Sequence, residues 1–151
     1  MISNELKATI QGAYSRFLEA KSLKPRYGQR LMIAEVAKVL GDIACDDEGR
    51  RAGEPAVVAV EAGTGTGKTV AYSLAAIPAA KAAGKRLVIA TATVALQEQI
   101  VFKDLPDLMR SSGLNFSFAL AKGRGRYLCL SKLDILLQDC LLYTSPSPRD
   151  S

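Results

Sequence analysis

The chain is 151 residues long, room for one domain with a buried core, and its 48% hydrophobic and 23% charged content is ordinary for a folded protein. A net charge of +5 suits a polyanionic partner such as nucleic acid, although an excess of this size is also common on ordinary soluble surfaces. Histidine is absent, which excludes imidazole chemistry, the three cysteines Cys45, Cys129 and Cys140 are too scattered for a disulfide framework, and no apolar run is long enough to span a bilayer.

At the N-terminus, Asn4, Glu5 and Lys7 stand where a signal peptide would need its apolar core, so a cytoplasmic protein with no membrane partner is expected. From Ser3 to about Lys21, apolar residues at Leu6, Ile10, Ala13, Tyr14, Phe17 and Leu18 have helical spacing, with Ser3 placed as N-cap. A second helix is expected from about Tyr27 to Leu40, with Met32, Ile33, Val36, Val39 and Leu40 on one face and Gly41 just past its end. Cys45 to Pro55 is acidic, then basic, and contains glycine, which reads as a loop.

Strand and helix then alternate. A buried strand is expected at Ala56–Val60, a helix from Lys68 to about Lys81 that must kink or break at Pro78, and a stop at Gly84. A second strand, Arg86–Ala90, leads through Thr91-Ala92-Thr93 into a helix from about Val94 to Lys103. Pro106 suits the first turn of another helix ending near Gly113, and Phe116–Leu120 is a third strand candidate. Strands separated by helices imply parallel crossovers and a doubly wound α/β sheet, with ligands at the strand C-terminal ends.

Between the first strand and its helix lies Glu61-Ala62-Gly63-Thr64-Gly65-Thr66-Gly67-Lys68-Thr69. Nucleotide phosphates are wrapped by backbone N–H groups, and the glycines let the chain turn around them without Cβ clashes. Lys68 brings a positive charge to the β/γ-oxygens, the Thr69 hydroxyl suits Mg²⁺, and a helix starting here points its positive dipole end at the phosphates. Lys68 and Thr69 are therefore the candidate catalytic groups, and Ala62, Gly63, Thr64, Gly65, Thr66 and Gly67 complete the expected ATP site. Ala62 departs from the strict pattern, being a small residue in the first glycine place. The bland alternative is a flexible Gly/Thr turn.

Three segments in this order resemble the DinG branch of the iron–sulfur, XPD-like superfamily-two DNA helicases. They are the phosphate loop with its preceding acid, then Thr91-Ala92-Thr93-Val94-Ala95-Leu96-Gln97-Glu98-Gln99 with Lys103-Asp104-Leu105-Pro106, and then Gly123-Arg124-Gly125-Arg126-Tyr127-Leu128-Cys129. The resemblance covers roughly residues 1 to 139. It implies a RecA-like P-loop fold, incomplete here and preceded by helices, in an enzyme that couples ATP hydrolysis to movement along single-stranded DNA and unwinding of a forked duplex. It divides the chain into a helical segment at 1–44 and a partial ATP-binding domain at 55–139.

The same resemblance makes Arg26-x-x-Gln29-x-x-Met32 similar to a motif whose glutamine reads adenine; an amide can donate and accept along that edge, while a solvated helix face is the alternative. It makes Thr91, Thr93 and Gln97 candidates for backbone phosphates of a single strand, against simple helix capping. Lys122, Arg124 and Arg126 form a basic cluster beside Tyr127 that suits DNA, or an ordinary solvated loop. Cys129 by itself reads as a small buried thiol; the resemblance makes it one ligand of a [4Fe–4S] cluster in the full-length protein, with no cluster expected on this chain.

The segment Cys140 to Asp150 looks like the in-frame translation of a transposase adapter used for sequencing libraries, or else a natural Ser/Pro-rich linker. On the first reading 140–151 is a non-native tail, the natural sequence stops near Asp139, and the chain is an N-terminal fragment without the Asp-Glu strand end and arginine fingers that hydrolysis requires. Two other classes stay open: a different P-loop enzyme such as a small-molecule kinase or partitioning ATPase, and a non-catalytic nucleotide-binding module.

Overall fold

Three helices build the centre of the fold, and the computed structural model describes residues 1–143 of the chain. Helix α1 (Asn4–Ala20) begins where the Ser3 hydroxyl accepts the Leu6 N–H at 3.2 Å, satisfying one of the free donors of a helix N-terminus. Just past its end, Ser22 takes a left-handed φ of 51°. Helix α2 (Tyr27–Gly41) buries Gln29, Met32, Ile33 and Ala37. Helix α3 (Lys68–Ala82) packs against both, and buries Leu74, Ala75 and Ile77 with Ile10, Phe17 and Met32 in one core.

Pro78 does not break α3, which continues to Ala82, one residue past the end expected from the sequence. A proline inside a helix costs roughly 3 kcal/mol. The burial of Leu74 to Ala79 outweighs that cost, since these side chains lose their water whichever way they face. At the far end the Lys85 N–H bonds the Ala80 carbonyl at 2.8 Å and the Gly84 N–H bonds that of Lys81 at 3.1 Å, with Gly84 at φ 62°. This paired closure needs a left-handed residue, so the stop at Gly84 follows from the glycine.

Helix α4 (Val94–Gln99) and helix α5 (Leu105–Ser112) are not separate, as the sequence pattern predicts, but are joined by a π-helical turn at Ile100–Asp104. There the Leu105 N–H reaches back to the Ile100 carbonyl, and Pro106, which has no N–H to donate, follows directly in the first turn of α5. Ile100, Leu105 and Leu108 join the core, and α5 is tied to α1 by Arg16 Nε donating to the Ser112 carbonyl at 2.8 Å and by the Lys21–Asp107 ion pair at 2.6 Å.

The parallel sheet is not seen. Among the described residues no strand forms, and 56–60, 86–90 and 116–120 carry no ladder; the one β-bridge joins Cys45 and Arg51. A strand is defined by its neighbours, because each backbone N–H and C=O must find a partner on an adjacent chain. Without that pairing Val57 and Val88 stand 83% and 86% exposed, although Ile89 and Phe116 still lean on the core.

These elements belong to a unit spanning Met1–Phe118; a second begins at Ala119. The second holds a short 3₁₀ turn at Arg124–Arg126 and helix α6 (Leu130–Tyr143). The assignment of 140–151 to a non-native tail falls for its larger part, 144–151, outside the described residues.

Candidate nucleotide site

The phosphate loop runs straight into α3, so its backbone amides gather at the positive end of that helix. Gly65 and Gly67 take φ values of 79° and 74°, and the Thr66 hydroxyl closes the turn by donating to the Gly63 carbonyl at 2.7 Å. Gly67 is doubly constrained, since a Cβ there would also lie 2.5 Å from Gln29 Nε2. Gly63, by contrast, has nothing within 4 Å of where a Cβ would stand. Lys68 is exposed and Thr69 half-buried in the first turn of α3, where an ammonium and a hydroxyl can meet phosphate oxygens and a phosphate-bound Mg²⁺. A cavity of about 520 Å³ lies beside the loop, lined by Leu31, Met32 and Glu35 of α2 and by Val60, Glu61 and Thr66.

The start of α2 grips this loop from behind. Arg26 Nη1 donates to the Gly65 carbonyl at 2.7 Å. Gln29, only 6% exposed, directs Nε2 at the carbonyls of Gly67 (3.3 Å) and Thr66 (3.4 Å), while its Oε1 accepts the Tyr14 hydroxyl at 3.1 Å. Among these bonds the amide faces the loop backbone, not the cavity beside it. Sequence reasoning singles out Gln29 but not Tyr14, whose helical spacing marks it as core; its hydroxyl is the one available signal.

Thr93 caps α4, its hydroxyl accepting the Leu96 N–H at 3.2 Å, and the Thr91 hydroxyl donates to the Thr93 carbonyl at 3.2 Å. Both threonines thus shape the turn, with Gln97 half-buried one turn further on. In the second unit, Lys122, Arg124 and Arg126 are all exposed on one short loop. Tyr127 folds its hydroxyl back to accept the Lys122 N–H at 2.9 Å, and the Arg126 N–H bonds the Gly123 carbonyl at 2.8 Å.

Four thiolates must converge on a [4Fe–4S] group. Cys129 is exposed just before α6, and about 16 Å of helix rise separates it from Cys140. No three Cys, Asp or Glu side chains gather as a metal-binding group among the described residues.

Residues 48–145 match the DEAD/DEAH box helicase family, about two-thirds of the chain. The chain belongs to that family. Membership in the DEAD/DEAH box helicases implies a RecA-like fold. The chain is also 42% identical, over 89% of its length, to the ATP-dependent DNA helicase DinG of Photobacterium profundum. It is 41% identical over 96% of its length to that of Escherichia coli (strain K12) and 42% over 87% to that of Salmonella typhimurium. It spans only 17–18% of the length of these curated relatives. No helix among the described residues is long and apolar enough to cross a membrane.

Proposed function

We propose that this chain is the nucleotide-binding part of a cytoplasmic ATP-dependent DNA helicase, which as a whole couples ATP hydrolysis to translocation on single-stranded DNA and unwinding of forked duplexes. The observation that carries the reading is the phosphate loop at the head of α3, with Gly65 and Gly67 left-handed and Lys68 and Thr69 in the first helical turn. Family membership and the DinG relatives give it its substrate class. In the complete fold, 56–60, 86–90 and 116–120 pair as strands of a parallel sheet within a domain spanning about 55–139, preceded by the helices of 1–44.

Phosphoryl transfer to water asks for positioning and charge neutralisation more than covalent help. The loop amides from Ala62 to Gly67 hold the β/γ-phosphates, Lys68 neutralises them, and Thr69 supplies a hydroxyl to Mg²⁺, which when bound offsets the remaining phosphate charge. The sequence has no Asp-Glu pair at the end of an apolar strand to orient water, so the chain binds nucleotide without turning it over. Thr91, Thr93 and Gln97, with the Lys122, Arg124 and Arg126 loop, follow the DNA backbone without reading its sequence. Cys129 contributes one thiolate only where three others are supplied, so this chain is expected to purify without iron.

The test is ATP hydrolysis by the longer protein that carries this sequence, with and without single-stranded DNA. Turnover stimulated by DNA, and lowered about 100-fold or more by Lys68→Ala, is expected from the loss of a phosphate-directed charge. Undiminished turnover in the variant removes Lys68 from the mechanism, and indifference to DNA returns the chain to the other P-loop enzymes.

A further inference from the structure

Gln29 is buried, yet it spends its whole amide on neighbours: Nε2 on the carbonyls of Thr66 and Gly67, Oε1 on the hydroxyl of Tyr14. An amide can sit either way round in such a site, and only one way puts its N–H groups toward the two carbonyls. The two loop carbonyls decide which, because they can only accept. The Tyr14 hydroxyl holds the other end of the amide: it accepts the Arg26 N–H at 3.4 Å and donates its own proton to Gln29 Oε1. The flipped amide would set its oxygen against both loop carbonyls and leave the phenolic proton without this acceptor, so the Tyr14 bond adds to the orientation the carbonyls impose.

We propose that Tyr14 is a positioning residue for the phosphate loop: through its hydroxyl it fixes the Gln29 amide, and the amide holds the carbonyls of Thr66 and Gly67 so that the loop N–H groups face the phosphates. Arg26 holds the neighbouring Gly65 carbonyl from the same end of α2. With carbonyls at three successive loop positions anchored there, the peptide groups are oriented before any anion arrives, and binding does not have to order them. The inference rests on the loop being the phosphate site, and it concerns the polyphosphate rather than the base.

The experiment is titration of the chain with a fluorescent ATP derivative in Mg²⁺, with ATP, GTP and tripolyphosphate as competitors, for Tyr14→Phe, Gln29→Met, the double variant and Lys68→Ala. Tyr14→Phe keeps the ring in the core and removes one hydrogen bond, so all three competitors are expected to weaken by the same factor, about three- to tenfold. Gln29→Met should weaken them at least as much, and adding Tyr14→Phe to it should cost nothing further, because the relay is already cut. Faster amide hydrogen exchange at 63–67, with the core of α3 still protected, is the accompanying signature of a loosened loop; it also reads the relay if a variant is too unstable for titration. Unchanged tripolyphosphate affinity in Tyr14→Phe, a loss confined to ATP, or additive losses in the double variant would each overturn the proposal. If Lys68→Ala also binds normally, the phosphate-site reading itself fails; if Lys68→Ala loses binding while Tyr14→Phe does not, only the relay fails.

Discussion

Two glycine-rich, cation-bearing loops can be compared in this chain, and they are held in opposite ways. The phosphate loop is tied to the start of α2 through the Gly65, Thr66 and Gly67 carbonyls and closed on itself by Thr66. The loop from Lys122 to Tyr127 is closed within its own unit by a 3₁₀ turn and the Tyr127 hydroxyl, and its side chains are exposed throughout. A triphosphate is small and must be met by backbone amides at fixed positions, so its loop is worth preorganising. A DNA backbone is long and repetitive, so long flexible cations can find phosphates from a loop that is itself simple.

The comparison breaks most sharply at Gly67. Gly67→Ala forces a Cβ onto a left-handed backbone, costing roughly 1–2 kcal/mol, and drives it to 2.5 Å from Gln29 Nε2. Nucleotide affinity measured by titration is expected to fall by more than about tenfold while far-UV circular dichroism keeps its helical signal, since each step of about 1.4 kcal/mol is a factor of ten. Retained affinity would mean that the loop is as adaptable as the basic one. At the basic loop the expected effect is smaller and of another kind. Replacing Lys122, Arg124 and Arg126 together by glutamine should leave nucleotide affinity unchanged and weaken single-stranded DNA binding evenly across sequences. The slope of log affinity against log salt should become shallower by about 0.7 for each phosphate no longer neutralised. A change in sequence preference instead would show base readout.

The same contrast explains what is legible in the sequence. Local chemistry is readable: the Ser3 cap, the helical face of α1, Met32, Ile33 and Val36 on α2, the phosphate loop opening α3, and the stop at Gly84 all depend on a few adjacent residues, whereas Val39 and Leu40 are only half-buried and Gly41 lies within α2 rather than past its end. What escapes the sequence depends on partners elsewhere in the chain. Pro78 reads as a place to kink or break, and which of the two is avoided depends on the surrounding core, which holds the helix unbroken; the π-helical join before Pro106 reflects how Ile100 and Leu105 both reach that core. Helix α6 has no clear signature, because Ile135, Leu136 and Leu137 form an apolar run rather than a stripe, and all three remain exposed. The strand segments have the apolar content of strands, but content cannot supply a ladder. At the site, the type and spacing of Lys68 and Thr69 can be read directly, whereas the grip of Tyr14 and Gln29 on the loop spans 37–38 residues of sequence at its longer step and has no local pattern.

The scaffold behind the phosphate loop contains one polar atom that the fold does not use. Ser73 lies just beyond the first turn of α3, fully buried, and its Oγ has no hydrogen-bond partner among the described residues. A hydroxyl taken out of water without a partner costs about 1–3 kcal/mol, and serine is also a poorer helix former than alanine. Ser73→Ala removes both penalties and leaves a void no larger than one oxygen atom. Thermal unfolding of the variant is therefore expected about 2–4 °C higher, the shift that roughly 1 kcal/mol produces in a chain of this size. Nucleotide affinity should not change, because no bond runs from Ser73 to the loop among those described. A lower melting temperature would mean that the hydroxyl has found a partner in solution, and the natural candidate is the Thr69 carbonyl one turn back, at the residue whose hydroxyl is proposed for Mg²⁺. In that case Ser73→Ala would loosen Thr69 as well, and the affinity for Mg²⁺-nucleotide would fall together with the stability.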